Sequence, residues 1–166
     1  MNIEEKIARE LEKGETLIDL GYLDEALERL DIVLELDNDN EEAWMFKCAA
    51  FERKGDFENA LRCIDKVIEI SPRNKMAWDY KGYLLYNLKE FENAINCFKK
   101  AIEINDKYTN AYYNLACCYS LLEKKSDTLN TLKTLVQLKP KIKTEIKNEK
   151  DFKWLYDEPD FINLVE

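Results

Sequence analysis

A chain of 166 residues can bury one substantial core, and 4 Gly and 3 Pro against 25 Lys+Arg and 34 Asp+Glu favour helix throughout. The formal net charge of -9 argues against a general nucleic-acid role, because phosphate binding needs a concentrated positive surface; it leaves room for a basic peptide. The absence of His removes the commonest general base near neutral pH and the usual zinc imidazoles, so no cofactor or metal is expected. The cysteines at 48, 63, 97, 117 and 118 are odd in number and lack metal-ligand spacing, which reads as free thiols in a cytoplasmic protein. Asn2, Glu4, Glu5 and Lys6 interrupt any apolar start that could serve as a secretory signal. No run approaches the roughly 18 apolar residues needed to cross a bilayer, and no membrane partner is expected.

From its N-terminus onward the chain returns to the same pattern every 34 residues, with Trp44 and Trp78 as the plainest marks. Four units fit, 7–40, 41–74, 75–108 and 109–142, each predicted to hold two helices joined by a short turn. The first helices carry Glu10, Trp44, Trp78 and Tyr112 at one phase, then the small Gly14, Cys48, Gly82 and Ala116. Leu17, Phe51, Leu85 and Tyr119 follow, large and apolar or aromatic. Small residues at one level let two helices approach, and the large ones fill the space on either side.

The second helices repeat Ala26, Ala60, Ala94 and Thr128, then Leu30, Ile64, Phe98 and Leu132, then Val33, Val67, Ala101 and Leu135. Spacings of four and three place them along one helical face. Turns are predicted at 21–24, 55–58, 88–91 and 124–127, and Asn38, Pro72, Asp106 and Pro140 mark where second helices stop. A further helix is predicted over 142–147. In the tail Phe152, Trp154, Leu155, Phe161 and Leu164 either seal the apolar end or form an interface anchor.

A 34-residue period with helical apolar spacing is the mark of a helical solenoid. The central run Trp44, Cys48, Phe51, Ala60, Ile64, Val67, Pro72, then Trp78, Gly82, Leu85, Ala94, Phe98, Ala101, resembles the tetratricopeptide repeat (TPR) family, with the likeness running through 7–142. Glu10 in place of an aromatic and Thr128 in place of Ala depart from the pattern in the outer units, where a repeat array needs solubilising ends. The resemblance implies an all-α fold, a right-handed TPR superhelix of antiparallel helix pairs forming a single domain over 1–166, with 143–166 as capping helix and tail. It also implies a non-catalytic adaptor or scaffold that binds protein or peptide along a concave face lined by the first helices.

On that reading the residues between the packing phases are the candidate peptide contacts: Phe46, Asp79, Tyr80, Tyr83, Tyr86, Tyr113, Asn114 and Cys117. Tyrosine joins a large contact area to a hydroxyl that can bond a peptide backbone. Packing between neighbouring first helices is the competing reading for Tyr80, Tyr83 and Tyr113, and a one-residue rotation toward the core is the competing reading for Phe46 and Tyr86. Some members of the family grip a carboxylate terminus through Lys, Asn and Arg, but Leu11, Glu15, Asp79 and Tyr83 occupy the corresponding phases, so that ligand is not expected. Residues 1–40 hold 13 acidic and 4 basic side chains while 109–142 hold 2 and 5, which favours a basic or neutral partner for the N-terminal half. A structural subunit that self-associates, or an enzyme accessory protein, is the alternative.

Overall fold

The computed structural model describes residues 2–166. Eight helices run α1 (Ile3–Leu20), α2 (Leu23–Leu36), α3 (Glu41–Arg53), α4 (Phe57–Ile70), α5 (Lys75–Asn87), α6 (Phe91–Ile104), α7 (Thr109–Leu121) and α8 (Lys125–Leu138). A 3-10 turn at Pro140–Ile142, α9 (Lys143–Asn148), a second 3-10 segment at Lys150–Leu155 and α10 (Pro159–Val165) complete the chain. The fold is all-α and built of antiparallel helix pairs, as the sequence pattern predicts. It divides into two compact units, Met1–Ala77 and Trp78–Glu166.

The second helices start at 23, 57, 91 and 125 and stop at 36, 70, 104 and 138, keeping the 34-residue step at both ends. All twelve predicted interior positions on them, from Ala26, Leu30 and Val33 to Thr128, Leu132 and Leu135, are 0 % exposed. Thr128 tolerates that burial because its hydroxyl donates to the Lys124 carbonyl at 2.9 Å. First helices begin at asparagine where one is present: the Asn40 and Asn74 side chains accept from the amides of Ala43 and Ala77 at 3.0 and 3.1 Å. Helix α1 starts earlier than the repeat suggests, at Ile3, because Asn2 and Glu5 form a reciprocal capping box of 2.8 and 3.1 Å.

In the first unit Ile18, Leu30, Val33 and Leu34 form a core against which Trp44 and Phe46 pack. The Trp44 indole N–H is satisfied by the Asn38 carbonyl at 2.8 Å. Glu10, at the aromatic phase, is only 2 % exposed. It lies under Arg9, Lys13 and Arg29 at 2.8, 3.2 and 3.7 Å, covered by their side chains at the edge of the unit. Burial pushes its pKa up, but hydrogen bonds from Lys13 and Arg9 outweigh this and hold the carboxyl below its ordinary value.

The turn inside each pair obeys the same period more strictly than the sequence shows. Gly21, Gly55, Lys89 and Glu123 all adopt left-handed backbone, with φ of 84, 77, 61 and 56°. Each of these amides, and the next, bonds back to a carbonyl of the preceding helix: Gly21 to Ile18, Tyr22 to Leu17, and the equivalents through Glu123 to Ser120 and Lys124 to Tyr119. The fourth turn therefore lies at 122–124, ahead of the 124–127 read from the sequence, and α8 starts within the expected turn. Only Gly enters this conformation without steric cost, so Lys89 and Glu123 carry strain that Gly21 and Gly55 do not.

In the second unit the step continues beyond 142. From Lys143 to Leu155 the chain spans the phase of α7, and α10 begins at Pro159, one step after Lys125. This fifth first-helix is broken at Glu149, whose extended backbone separates α9 from the 3-10 segment and whose side chain accepts from the Asp151 amide at 3.3 Å. Phe152 and Leu155 are fully buried, Phe161 is 2 % exposed, and all three share a core with Leu132, Leu135, Ile142 and Ile146. At about 2 kcal/mol for each large apolar side chain, they integrate the tail into the core. Trp154 departs from its predicted sealing role. It is 43 % exposed and tied by its indole N–H to the Ser120 hydroxyl at 2.7 Å.

Replacing Lys89 or Glu123 by Gly is expected to raise stability by about 1 kcal/mol, and Gly55→Ala to lower it by a similar amount. Urea midpoints at constant m-value measure both; a lowered midpoint for Lys89→Gly would contradict the strain assigned to that turn. In the tail, Phe161→Ala should cost about 3–5 kcal/mol as a cavity in a full core. Trp154→Ala should cost about 1 kcal/mol, the worth of one hydrogen bond. Equal melting losses for the two variants would overturn that separation.

Candidate functional site

The eight candidate residues divide between the two units. Phe46 lies on α3 in the first unit, partly buried against its core. The other seven are in the second unit, on α5 and α7. On α5, Asp79, Tyr83 and Tyr86 fall at spacings of four and three and so share a face. Tyr83 is 41 % exposed, with the half-buried Tyr80 ring 6.2 Å away.

Tyr86 and Tyr113 are engaged by the chain itself. The Tyr86 hydroxyl donates to the Asp151 carboxylate at 2.5 Å and the Tyr113 hydroxyl to Glu149 at 2.7 Å. Burial, reinforced by the accepting carboxylates, pushes both phenols well above their ordinary pKa. Ser120 adds a bond to the Asp151 carbonyl at 2.6 Å, and Phe152 meets the Tyr113 ring edge-on at 6.3 Å. Cys117 is a correction: at 5 % exposure it packs into the core with Leu132 and Phe152, which leaves it little surface for a peptide contact. The signal that could have exposed the fate of the two tyrosines was the pair Glu149 and Asp151 set among tail aromatics, carboxylates placed to accept hydrogen bonds from phenols.

Asp79 and Asn114 remain together and open to solvent on one side. The Asp79 carboxylate accepts from the Asn114 side-chain amide and from the Tyr108 hydroxyl, each at 3.1 Å. It borders a cavity of about 220 Å³ that is also lined by Asn110, Tyr113, Asn114, Lys139 and Glu145. Lys139 stands 4.0 Å from Glu145, an open ion pair. Burial raises the Asp79 pKa, and the neutral donors Asn114 and Tyr108 offset this only in part. The same proximity pushes the Tyr108 phenol up to about 12, burial first and the Asp79 charge second. Tyr108, Lys139 and Glu145 escaped the sequence reading, since none of them repeats from unit to unit.

No group of three His, Cys, Asp or Glu among the described residues is placed to hold a metal. All five cysteines are free and buried, and burial pushes Cys63 up to about 11 and Cys118 up to about 12, leaving little thiolate for nucleophilic work. No helix of the described residues is long and apolar enough to cross a membrane.

Paired helices on a fixed step, with small residues at the crossings, define a helical-repeat protein. Residues 11–74 match a family model described as tetratricopeptide repeat and residues 82–120 a second described as TPR repeat; the chain belongs to the tetratricopeptide repeat family. No curated protein sequence matches it. Among solved structures, MamA 41-end from Desulfovibrio magneticus RS-1 superposes with a TM-score of 0.82 at 20% identity, over 99% of this chain and 92% of that one. YrrB, described as a TPR protein with an unusual peptide-binding site, matches at 0.75 and 16% identity over 99% and 89%. The first TPR of Spaghetti (RPAP3), bound to the HSP90 peptide SRMEEVD, matches at 0.66 and 19% identity over 72% and 94%. At these identities the likeness establishes the fold.

Because its folded pKa is raised, Asp79 favours the native state when protonated, and that contribution is lost as pH rises through the folded pKa. Asp79→Asn should therefore leave the urea midpoint at pH 7 unchanged or higher, with any gain vanishing in acid below the ordinary carboxylate range. A variant markedly less stable at pH 7 would show that the charge itself supports the fold.

Proposed function

We propose that this chain is a non-catalytic adaptor that binds a basic or neutral peptide segment of a partner protein along the first-helix face of α5 and α7. The proposal takes 7–40, 41–74, 75–108 and 109–142 as the repeats of one cytoplasmic domain, with 143–166 closing it. The carrying observation is a division of labour. The second helices spend their apolar faces on the core, while α5 leaves Tyr83 exposed beside Tyr80 and Asp79. An exposed tyrosine next to a partly desolvated carboxylate supplies contact area and a directional acceptor, the ingredients of a recognition patch.

The partner's charge follows from the same face. Asp79 and Tyr83 put no cation where a free carboxylate would need one, so the SRMEEVD peptide seen with the Spaghetti TPR is not the expected ligand class. With Tyr86 and Tyr113 held by Asp151 and Glu149, binding centres on Tyr80, Tyr83, Asp79 and Asn114.

Fluorescence titration of the full chain with Lys-rich, Ser/Gly-rich and Glu-rich decapeptides tests the reading. The Lys-rich peptide should bind tightest and the Glu-rich one weakest. The Tyr80→Ala, Tyr83→Ala double variant should lose at least about tenfold in affinity, or 1.4 kcal/mol, at unchanged melting temperature. No saturable binding of any peptide, or equal binding by the variant, would reject the adaptor face.

A further inference from the structure

We propose that the cavity beside Asp79 is a subsite for a single guanidinium group, an arginine side chain of the bound partner; the proposal rests on the adaptor reading above. The argument starts from size. About 220 Å³ lies below the volume of cavities that enclose small-molecule ligands, roughly 300–1,000 Å³, and suits one long side chain.

Charge comes next. Asp79 and Glu145 line the cavity against one cation, Lys139, which sits at the limit of pairing distance from Glu145. That leaves the lining one positive charge short. Asp79 is the deeper of the two carboxylates, and both of its hydrogen-bond donors, Asn114 and Tyr108, are neutral. Burying a carboxylate without a cation is costly, and an incoming guanidinium would repay that cost with charge-assisted bonds.

The lining chemistry favours guanidinium over ammonium. Asp79 lines one small volume together with the side-chain amides Asn110 and Asn114, a polar setting that a planar fork of five donors uses better than a point charge. Tyr113 adds an aromatic wall of the kind on which guanidinium stacks. Nothing in the lining demands a multivalent ion, since the two carboxylates are accompanied by a lysine.

The test uses the full chain and the blocked tripeptide acetyl-Gly-Arg-Gly-amide, with the citrulline tripeptide as its neutral isostere, followed by ¹⁵N–¹H correlation spectra. The arginine tripeptide should give saturable shifts at the amides of Thr109, Asn110 and Asn114. Citrulline should bind at least tenfold more weakly. Asp79→Asn should lose at least tenfold in arginine affinity with free-state shifts confined to its immediate neighbours, and the exposed Glu145→Gln two- to threefold. Equal affinity for citrulline, or full affinity in Asp79→Asn, overturns the subsite.

The two readings fail differently. Lys-rich peptide binding that depends on Tyr80 and Tyr83 but not on Asp79 removes the subsite and keeps the adaptor. Arginine binding at Asp79 with no decapeptide bound removes the adaptor and, with it, the partner assigned to this cavity.

Discussion

Two helices joined by a turn of two or three residues share a core only if their axes come close, and every other feature of this fold depends on that approach. It is set by a small residue on the first helix facing a large one on the second. A Cβ on Gly14 would lie 2.9 Å from Leu30 Cδ2, and one on Gly82 only 2.6 Å from Phe98 Cε1. The bulkiest second-helix residue at that phase thus meets a glycine, while Ile64 and Leu132 stand at the level of Cys48 and Ala116. Volume is conserved across the crossing, as close-packed interiors require. Cysteine recurs inside this protein as a small apolar side chain, which its burial and raised pKa at Cys63 and Cys118 express chemically.

What the sequence made legible is what the packing repeats. The same crossing recurs in each pair, so Ala60 and Ala94, or Ile64 and Phe98, face the same environment and declare it by their spacing. The turns were half legible. Gly21 and Gly55 advertise left-handed backbone, but Lys89 and Glu123 occupy it without any compositional mark, and the reading slipped in the last pair. Tertiary burial of the helices on either side holds those two residues in a conformation their side chains disfavour. The tail was legible as apolar but not as periodic. Ile146 stands one step after Tyr112, and Pro159 one step after Lys125, yet the break at Glu149 hides the resemblance.

The candidate site was less legible for a related reason. Periodicity predicts contacts between residues of equal phase and is silent on side chains that bond across unequal ones. Tyr86 and Tyr113 find acceptors 65 and 36 residues further on, in the degenerate fifth pair. Nothing near either tyrosine in sequence announces this. Glu149 and Asp151 hold the two phenols through one short segment, and the fully buried Phe152 that follows Asp151 holds that segment in place. A surface read as open in a regular array is closed where the array loses its regularity.

The carboxylates show how differently one fold houses the same group. Glu10 replaces an aromatic side chain and is shielded by Arg9, Lys13 and Arg29; Lys13 and Arg9 pull its pKa down against burial. Glu149 and Asp151 each accept a hydrogen bond from a phenol, which ties the tail to α7 and α5. Asp79 receives only neutral donors, and burial wins: its pKa rises. A charge covered by cations is settled within the fold, and a charge spent on two tyrosines is settled within the tail. Asp79, kept beside an open cavity with neutral company, is the one of these whose electrostatic balance needs a partner.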